Sequence, residues 1–143
     1  MKNMRVLIDT NIILDWLMAR SPFYANAERI MKECFFGDLE GYVASHTITD
    51  LFYILRKDFS VKERKELLLL ICSYFQIISE DKAAIISVLR DENCKDIEDG
   101  LQMMCASLQN LDFIVTRNIS DFQTSIVPAV SPEKFIALYF AEK

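Results

Sequence analysis

The apolar residues fall into short uninterrupted runs, and longer segments of helical periodicity separate these runs. An apolar run without polar alternation is typical of a strand that is buried on both faces of a parallel sheet. The runs predict strands at Arg5–Ile8, Gly41–Ala44, Phe75–Ile78, Phe113–Thr116 and Ile126–Val130.

The segments between these runs predict helices. They lie at Asn11–Met18, Pro22–Phe36, Ile48–Lys57, Val61–Ser73, Asp81–Asp91 and Ile97–Gln109, and a last one begins at Ser131–Pro132. Ser21 before Pro22 has the same arrangement, a capping serine followed by a proline at the first helical position. Helices that separate single strands imply right-handed crossovers. The pattern therefore predicts one domain over residues 1–143, a three-layer α/β/α sandwich with a parallel sheet.

Composition narrows the class of protein. With 143 residues, 52% of them hydrophobic and 26% charged, the chain predicts one globular domain. Its longest apolar stretch is far below the ~20 residues that a membrane span needs. The four cysteines are scattered and form no CxxC pair, which indicates buried free thiols. We therefore expect a cytoplasmic protein without membrane association.

Net charge adds little to this. The value of −5 argues against a nonspecific nucleic-acid binder, which would normally be basic. It is compatible with an enzyme that concentrates negative charge in one metal-binding pocket.

Polar residues follow the predicted strands where chemistry collects in this class of fold. In open parallel sheets, ligands bind beyond the carboxyl ends of the strands, at the point where strand order reverses. Asp9-Thr10-Asn11 follows the first strand, residues 45–50 follow the second, and residues 116–121 follow the fourth. The helix before the fourth strand begins with Asp96, Glu98 and Asp99. Acidic residues thus recur at one edge of the sheet.

Each of these acids also has a structural explanation. Asp9 could cap the helix that follows it. Thr47 and Asp50 have the spacing of a variant capping box. Asp96 has the position of a cap, and Asp121 could be an ordinary turn residue. Taken singly, the acids do not establish a site.

Taken together, the acids predict a cation site. Four of them fall at one rim that has no lysine to neutralise them, namely Asp9, Asp50, Asp99 and Asp121. Converging carboxylates must take up protons or bind a cation. Oxygen ligands without histidine or thiolate select Mg²⁺ or Mn²⁺ over zinc. Such ions activate water for displacement at phosphorus, and Thr116 could position the phosphate or the water.

Four stretches, which run from Met4 to Phe135, resemble the PIN domain, the nuclease fold of VapC-type toxins. They are VLIDTNIILDWL, SHTITDLFYILRK, KDIEDGLQMMCASLQNLDFIVTRNISDF and VPAVSPEKFI. The resemblance implies a five-stranded parallel sheet of order 3-2-1-4-5. It also implies a Mg²⁺- or Mn²⁺-dependent endoribonuclease, the toxin of a toxin–antitoxin pair. The implied partners are RNA, a small antitoxin protein and a second copy of the chain.

The resemblance also assigns residues. Asp9 and Asp99 match the principal metal ligands, and Asp50 matches an acid that orients the metal or the attacking water. The fourth acidic position falls at Asn118 or Asp121. Two departures are evident, because the second acid is usually glutamate and because many members have aspartate where this chain has Asn118. Asp121 then supplies the missing charge as a second-site or water-mediated ligand.

Further polar residues at the same rim are expected to position substrate or water, namely Asn11, Thr116, Arg117 and Asn118. The aromatic residues, Tyr53 among them, are expected to be mostly core.

Three other classes of protein are alternatives to this function. A PIN fold with a weakened site could act as a protein-binding module, which would need no cation. A phospho-acceptor domain would need an acidic pair at the first strand, a lone aspartate after the third and a lysine after the fifth, and the chain lacks the last two. A phosphatase of the haloacid-dehalogenase type would need Asp-x-Asp, where this chain has Asp9-Thr10-Asn11.

Overall fold

The computed structural model describes residues 3–141, which form a five-stranded parallel sheet of order β3-β2-β1-β4-β5. The strands are β1 (Arg5–Ile8), β2 (Glu40–Ala44), β3 (Gln76–Ile78), β4 (Phe113–Val115) and β5 (Ala129–Val130). The predicted parallel sheet and its order are confirmed. The order places the switch point between β1 and β4, where Ile8 pairs with Val115.

Helices connect the strands. They are α1 (Thr10–Leu17), α2 (Tyr24–Phe36), α3 (Ser45–Ile54), α4 (Val61–Tyr74), α5 (Lys82–Arg90), α6 (Ile97–Leu108) and α7 (Pro132–Ala141). Two 3₁₀ turns follow α3 and β4, at Leu55–Lys57 and Ile119–Phe122.

The central strand β1 is buried on both faces, which produces the three layers. Val6 and Ile8 pack into a core with α1, α2, α4 and α7. Leu7 points to the other side and packs into a second core with α6. All three residues are fully buried, as an uninterrupted apolar run predicts for a central parallel strand. The three-layer α/β/α sandwich is therefore confirmed.

The two predicted serine caps differ in outcome. Ser131 Oγ accepts a hydrogen bond from the Lys134 amide at 3.2 Å, as expected for the cap of α7. Ser21 does not cap α2, so that prediction was wrong. The Ser21–Pro22 peptide bond is cis, and the chain turns through Phe23 before the helix begins at Tyr24.

Two element boundaries differ from the prediction. Helix α3 begins directly after β2 at Ser45, three residues before the predicted start, so Asp50 lies in mid-helix and forms no capping box with Thr47. Strand β5 is shorter than predicted, since it begins only at Ala129. Pro128 has no amide hydrogen to donate to a ladder, which explains why pairing does not extend through it.

All four cysteines are free, as predicted, but their burial differs. Cys34 and Cys105 are buried, Cys94 is half-buried and Cys72 is exposed. Among residues 3–141, every helix is too short or too polar to cross a membrane.

Candidate functional site: an acidic pocket at the switch point

Asp9 lies at the end of β1 and its side chain is held from behind. Its Oδ1 accepts a hydrogen bond from Gln102 Nε2 at 3.1 Å, and its Oδ2 accepts one from Thr116 Oγ1 at 2.9 Å. Asp9 occupies the N-cap position of α1, but its side chain makes no capping hydrogen bond. The capping interpretation of Asp9 was therefore wrong.

The Asp9 carboxylate is 4% exposed and its two side-chain donors are neutral. Burial raises the pKa of Asp9, and the rise is partly opposed by the hydrogen bonds from Gln102, Thr116 and the Thr10 backbone and, least of all, by the charge of Arg117. Without a cation in hydrogen-bond contact, burial disfavours the charged form.

The pocket in front of Asp9 brings all four predicted acids together. Six carboxylates line it, contributed by Asp9, Asp50, Asp96, Glu98, Asp99 and Asp121. The predicted positioning residues Asn11 and Asn118 line the same pocket. Four separate segments of the chain thus bring side-chain oxygen atoms to one pocket, as the strand-end argument predicts.

Helix α6 separates a capping acid from a pocket acid. The Asp99 amide donates a hydrogen bond to Asp96 Oδ1 at 3.0 Å, so Asp96 caps the helix. The Asp99 side chain faces the pocket. Gly100 permits close packing behind it, because a Cβ there would lie 2.6 Å from Cys94 Sγ and 2.7 Å from Val88 Cγ1.

Asp99 is half-buried and surrounded by other carboxylates, and both effects raise its pKa. Its pKa rises to about 7, first because of burial and then because of repulsion by neighbouring carboxylates, those of Asp96, Asp9, Asp121 and Glu98. Glu98 also has a raised pKa, first from partial desolvation and then from its hydrogen bond with Asp50 and the charge of Asp50. The pocket therefore holds more negative charge than its surroundings neutralise.

Two residues of this pocket have no role in the sequence prediction. Gln102 orients Asp9, and Glu98 contacts Asp50. Helical spacing is the signal that could have found them, because Gln102 follows Glu98 by four residues and Asp99 by three, which places all three on one face.

The loop after β4 is linked by hydrogen bonds to Asp9. Thr116 is fully buried, so its hydroxyl positions Asp9 and does not reach the pocket itself. The backbone N–H of Asn118 donates a hydrogen bond to Thr116 Oγ1 at 3.0 Å. The backbone N–H of Asp121 donates one to the backbone carbonyl of Asn118 at 2.9 Å. One chain of hydrogen bonds thus links Asp121 to Asp9.

The structure does not bring Arg117 into the acidic pocket. Its Nε donates to Asp15 Oδ2 at 2.7 Å, and its Nη2 donates to Asp15 Oδ1 at 3.2 Å. Its guanidinium carbon lies 3.8 Å from the centre of the Phe23 ring. Within residues 3–141, no lysine lines the acidic pocket itself, whereas Lys95 lines an adjoining groove with Asp96 and Asp99.

The donor set fits a hard divalent cation, since carboxylate and amide oxygens are the ligands that Mg²⁺ and Mn²⁺ prefer. The raised pKa of Asp99 marks the excess charge that a cation would neutralise. Within residues 3–141, however, no three histidine, cysteine, aspartate or glutamate side chains lie close enough together to hold an ion. The acids line the pocket walls, and a shared ion would need them to move inward.

Comparisons with known proteins address the family and the fold. The profile described as "PIN domain" matches residues 5–120, which is most of the chain. No curated protein sequence matches the chain significantly.

Several solved structures share the fold. One is a toxin–antitoxin complex from Klebsiella pneumoniae, with a TM-score of 0.66 and 23% identity over 89% of this chain and 97% of that one. VapBC-1 from nontypeable Haemophilus influenzae has a TM-score of 0.66 and 16% identity over 91% and 99%. VapC20 from Mycobacterium tuberculosis, a sarcin–ricin loop cleaving toxin, has a TM-score of 0.61 and 9% identity over 76% and 86%.

Proposed function

This chain belongs to the PIN domain family, and we propose that it is a metal-dependent endoribonuclease that uses the acidic pocket at the switch point. The observation that carries the proposal is the convergence of six carboxylates, with a pKa of about 7 at Asp99. A purely structural cluster of this kind would be unfavourable, because like charges repel and the capping role of Asp96 accounts for only one of the six acids.

The residues take distinct roles in this proposal. Asp9 and Asp99 hold the cation, and Asp121 contributes from the 3₁₀ turn. Asp50 orients the ion or the attacking water from mid-helix in α3. Bound Mg²⁺ or Mn²⁺ would supply an activated water and neutralise charge on the phosphate.

Two kinds of residue support this arrangement, those that hold Asp9 and those that line the pocket beside it. Gln102 and Thr116 hold both oxygens of Asp9, so that carboxylate is oriented before any ligand arrives. Asn118 and Asn11 line the pocket and are the neutral groups placed to position water or phosphate. Arg117 acts through Asp15 and the loop, not on phosphate.

The test is RNA cleavage with Mg²⁺ or Mn²⁺ by the wild type and by Asp9→Asn. The substitution preserves size but removes the charge that a cation needs, so cleavage should be lost while circular dichroism is unchanged. Asp112→Asn is the matched control. Asp112 is exposed, and its side chain accepts a hydrogen bond from the Arg5 backbone N–H at the amino ends of the strands, opposite the pocket. This variant should cleave like the wild type. A wild type inert on a broad RNA panel would overturn the proposal.

The alternative is a PIN domain that acts only as a protein-binding module. Among residues 3–141, no three acidic, histidine or cysteine side chains form a ready-made ion site, and this observation favours the alternative to that extent. Metal binding discriminates between the two, since a scaffold needs no cation. Calorimetric titration with Mn²⁺ that gives no heat would favour the scaffold.

We also propose a small antitoxin protein as a partner, since the structural neighbours include toxin–antitoxin complexes. Self-association into a homodimer is part of the same proposal. Co-expression with the product of an adjacent small open reading frame tests the first, and a mass measurement of the purified chain in solution tests the second. A monomer that no such product binds would contradict both.

A further inference from the structure

Tyr53 is an exposed aromatic residue at the rim of the acidic pocket. It follows Asp50 by three residues in α3, so the two share a helix face, and both line the pocket. Tyr53 as a residue is 62% exposed. The expectation that Tyr53 belongs to the core was therefore wrong, and its position at the pocket places it within reach of a ligand there.

Arg56 holds this ring in place. Its guanidinium carbon lies 3.8 Å from the ring centre, and its Nη1 donates to the Tyr53 carbonyl at 2.9 Å. The guanidinium lies over one face of the ring, and Tyr53 as a whole residue remains mostly exposed. Arg56 is itself exposed, so its positive charge lies directly beside the ring.

We propose that Tyr53, backed by Arg56, is a stacking platform for an unpaired nucleobase of an RNA strand that enters the acidic pocket. This inference rests on the proposed function and names its substrate class. Every base has a π face, so an open aromatic ring binds single strands without strong sequence preference. The Arg56 guanidinium on the other side of the ring adds to that attraction and offers a contact for the phosphate backbone of the RNA.

The platform also explains how an acidic pocket attracts a polyanion. Six carboxylates repel phosphate until a cation is bound, so the affinity for the strand must come from the rim. A stacked base supplies attraction that does not depend on charge. A base inside an A-form helix is already stacked on both faces, so the platform selects single strands, loops or bulges.

The test is binding of a short single-stranded ribo-oligonucleotide that carries one 2-aminopurine, in the presence of a chelator so that no hydrolysis occurs. Anisotropy of an end label measures affinity, and quenching of 2-aminopurine reports stacking. The variants are Tyr53→Phe, which keeps the π face, and Tyr53→Leu, which removes it. Phe36→Leu is the matched control. Phe36 is 83% exposed and ends α2 just before β2 begins, so it lies at the amino ends of the strands, away from the pocket.

We expect Tyr53→Leu to bind about five- to tenfold more weakly and to lose the quenching, at the lower end of the effect of removing a base–aromatic stack. Tyr53→Phe and Phe36→Leu should behave like the wild type. A duplex of the same sequence should bind more weakly and be insensitive to Tyr53.

Undiminished affinity and quenching in Tyr53→Leu would overturn the platform, as would a wild type that binds no single-stranded RNA. Loss of binding to an antitoxin in Tyr53→Leu, with RNA binding intact, would assign the ring to a protein partner instead. Failure of the proposed function is distinguishable, since RNA would then bind through Tyr53 without any cleavage when Mg²⁺ or Mn²⁺ is added. Cleavage that is insensitive to Tyr53 gives the opposite combination.

Discussion

Two aspartates six residues apart, Asp9 and Asp15, are both buried, yet their surroundings are opposite. Asp15 is fully buried and receives two hydrogen bonds from the Arg117 guanidinium, with Arg20 Nη1 at 3.8 Å. Asp9 receives only neutral side-chain donors and faces five other carboxylates. The same loop after β4 supplies the partner in both cases, Arg117 to one acid and Thr116 to the other.

The comparison shows how to separate a structural acid from a functional one. A buried charge that the fold itself neutralises is part of the scaffold, since its partner fully accounts for it. A buried charge left without a counter-charge points to a ligand. The ion pair of Asp15 with Arg117 anchors α1 to the loop after β4. The neutral donors of Asp9 leave its carboxylate free to bind a cation.

The largest expected effect comes from breaking the scaffold pair. Asp15→Asn leaves Arg117 without its anion and should lower the free energy of unfolding by about 3 kcal/mol, toward the low end for buried ion pairs because Arg117 is partly exposed. Asp9→Asn should change it by less than about 1 kcal/mol, because Gln102 and Thr116 are neutral and can bond an amide. Urea unfolding in chelator measures both. Equal losses would show that Asp9 is structural.

Metal should sharpen the contrast in the other direction. Millimolar Mn²⁺ or Mg²⁺ should raise the free energy of unfolding by about 1–3 kcal/mol, because a ligand that binds only the native state stabilises it by mass action. Asp9→Asn should lose that response. Arg117→Lys, which keeps a cation near Asp15, should retain it. Thermal unfolding with and without each ion measures this, and an unchanged Tm in the wild type would contradict it.

A smaller effect separates two acids inside one helix. Asp96→Ala removes the cap of α6 and should lower the free energy of unfolding by about 0.5–2 kcal/mol. It should still respond to Mn²⁺, because the Asp99 side chain remains. Asp96→Asn, which can still cap, is the control. If Asp96→Ala is stable but no longer responds to metal, the roles of the two acids are reversed.

The fold followed from local patterns because β1 is apolar on both faces and each helix has its own period. The acids of the pocket followed because strand ends of a parallel sheet meet at one edge. The ion pair of Arg117 with Asp15 did not follow, since no spacing relates residues 102 positions apart. The exposure of Tyr53 was missed because an aromatic residue in a helical apolar pattern predicts core, and only packing decides which residues of α3 remain outside.

The smallest expected effect is the pH dependence of the metal-free protein. The pKa of Asp99 in the folded chain, about 7, is above its ordinary value of 3.8. Between these values the folded state holds a proton that the unfolded state has released, so the free energy of unfolding falls as pH rises from about 4 to 7. Asp99 is partly exposed and solvent screens its neighbours, so we expect a loss below about 1 kcal/mol.

Asp99→Asn cannot ionise and should flatten this profile, and it should be at least as stable as the wild type at pH 7 in chelator. Asp112→Asn should keep the wild-type slope, because Asp112 lies at the amino ends of the strands, opposite the pocket. Urea unfolding across this pH range measures all three proteins. A wild-type profile that rises toward pH 7 with the same slope in Asp99→Asn would show that Asp99 carries no excess charge. The pocket would then resemble the neutralised surroundings of Asp15, and the main argument for a cation would be lost.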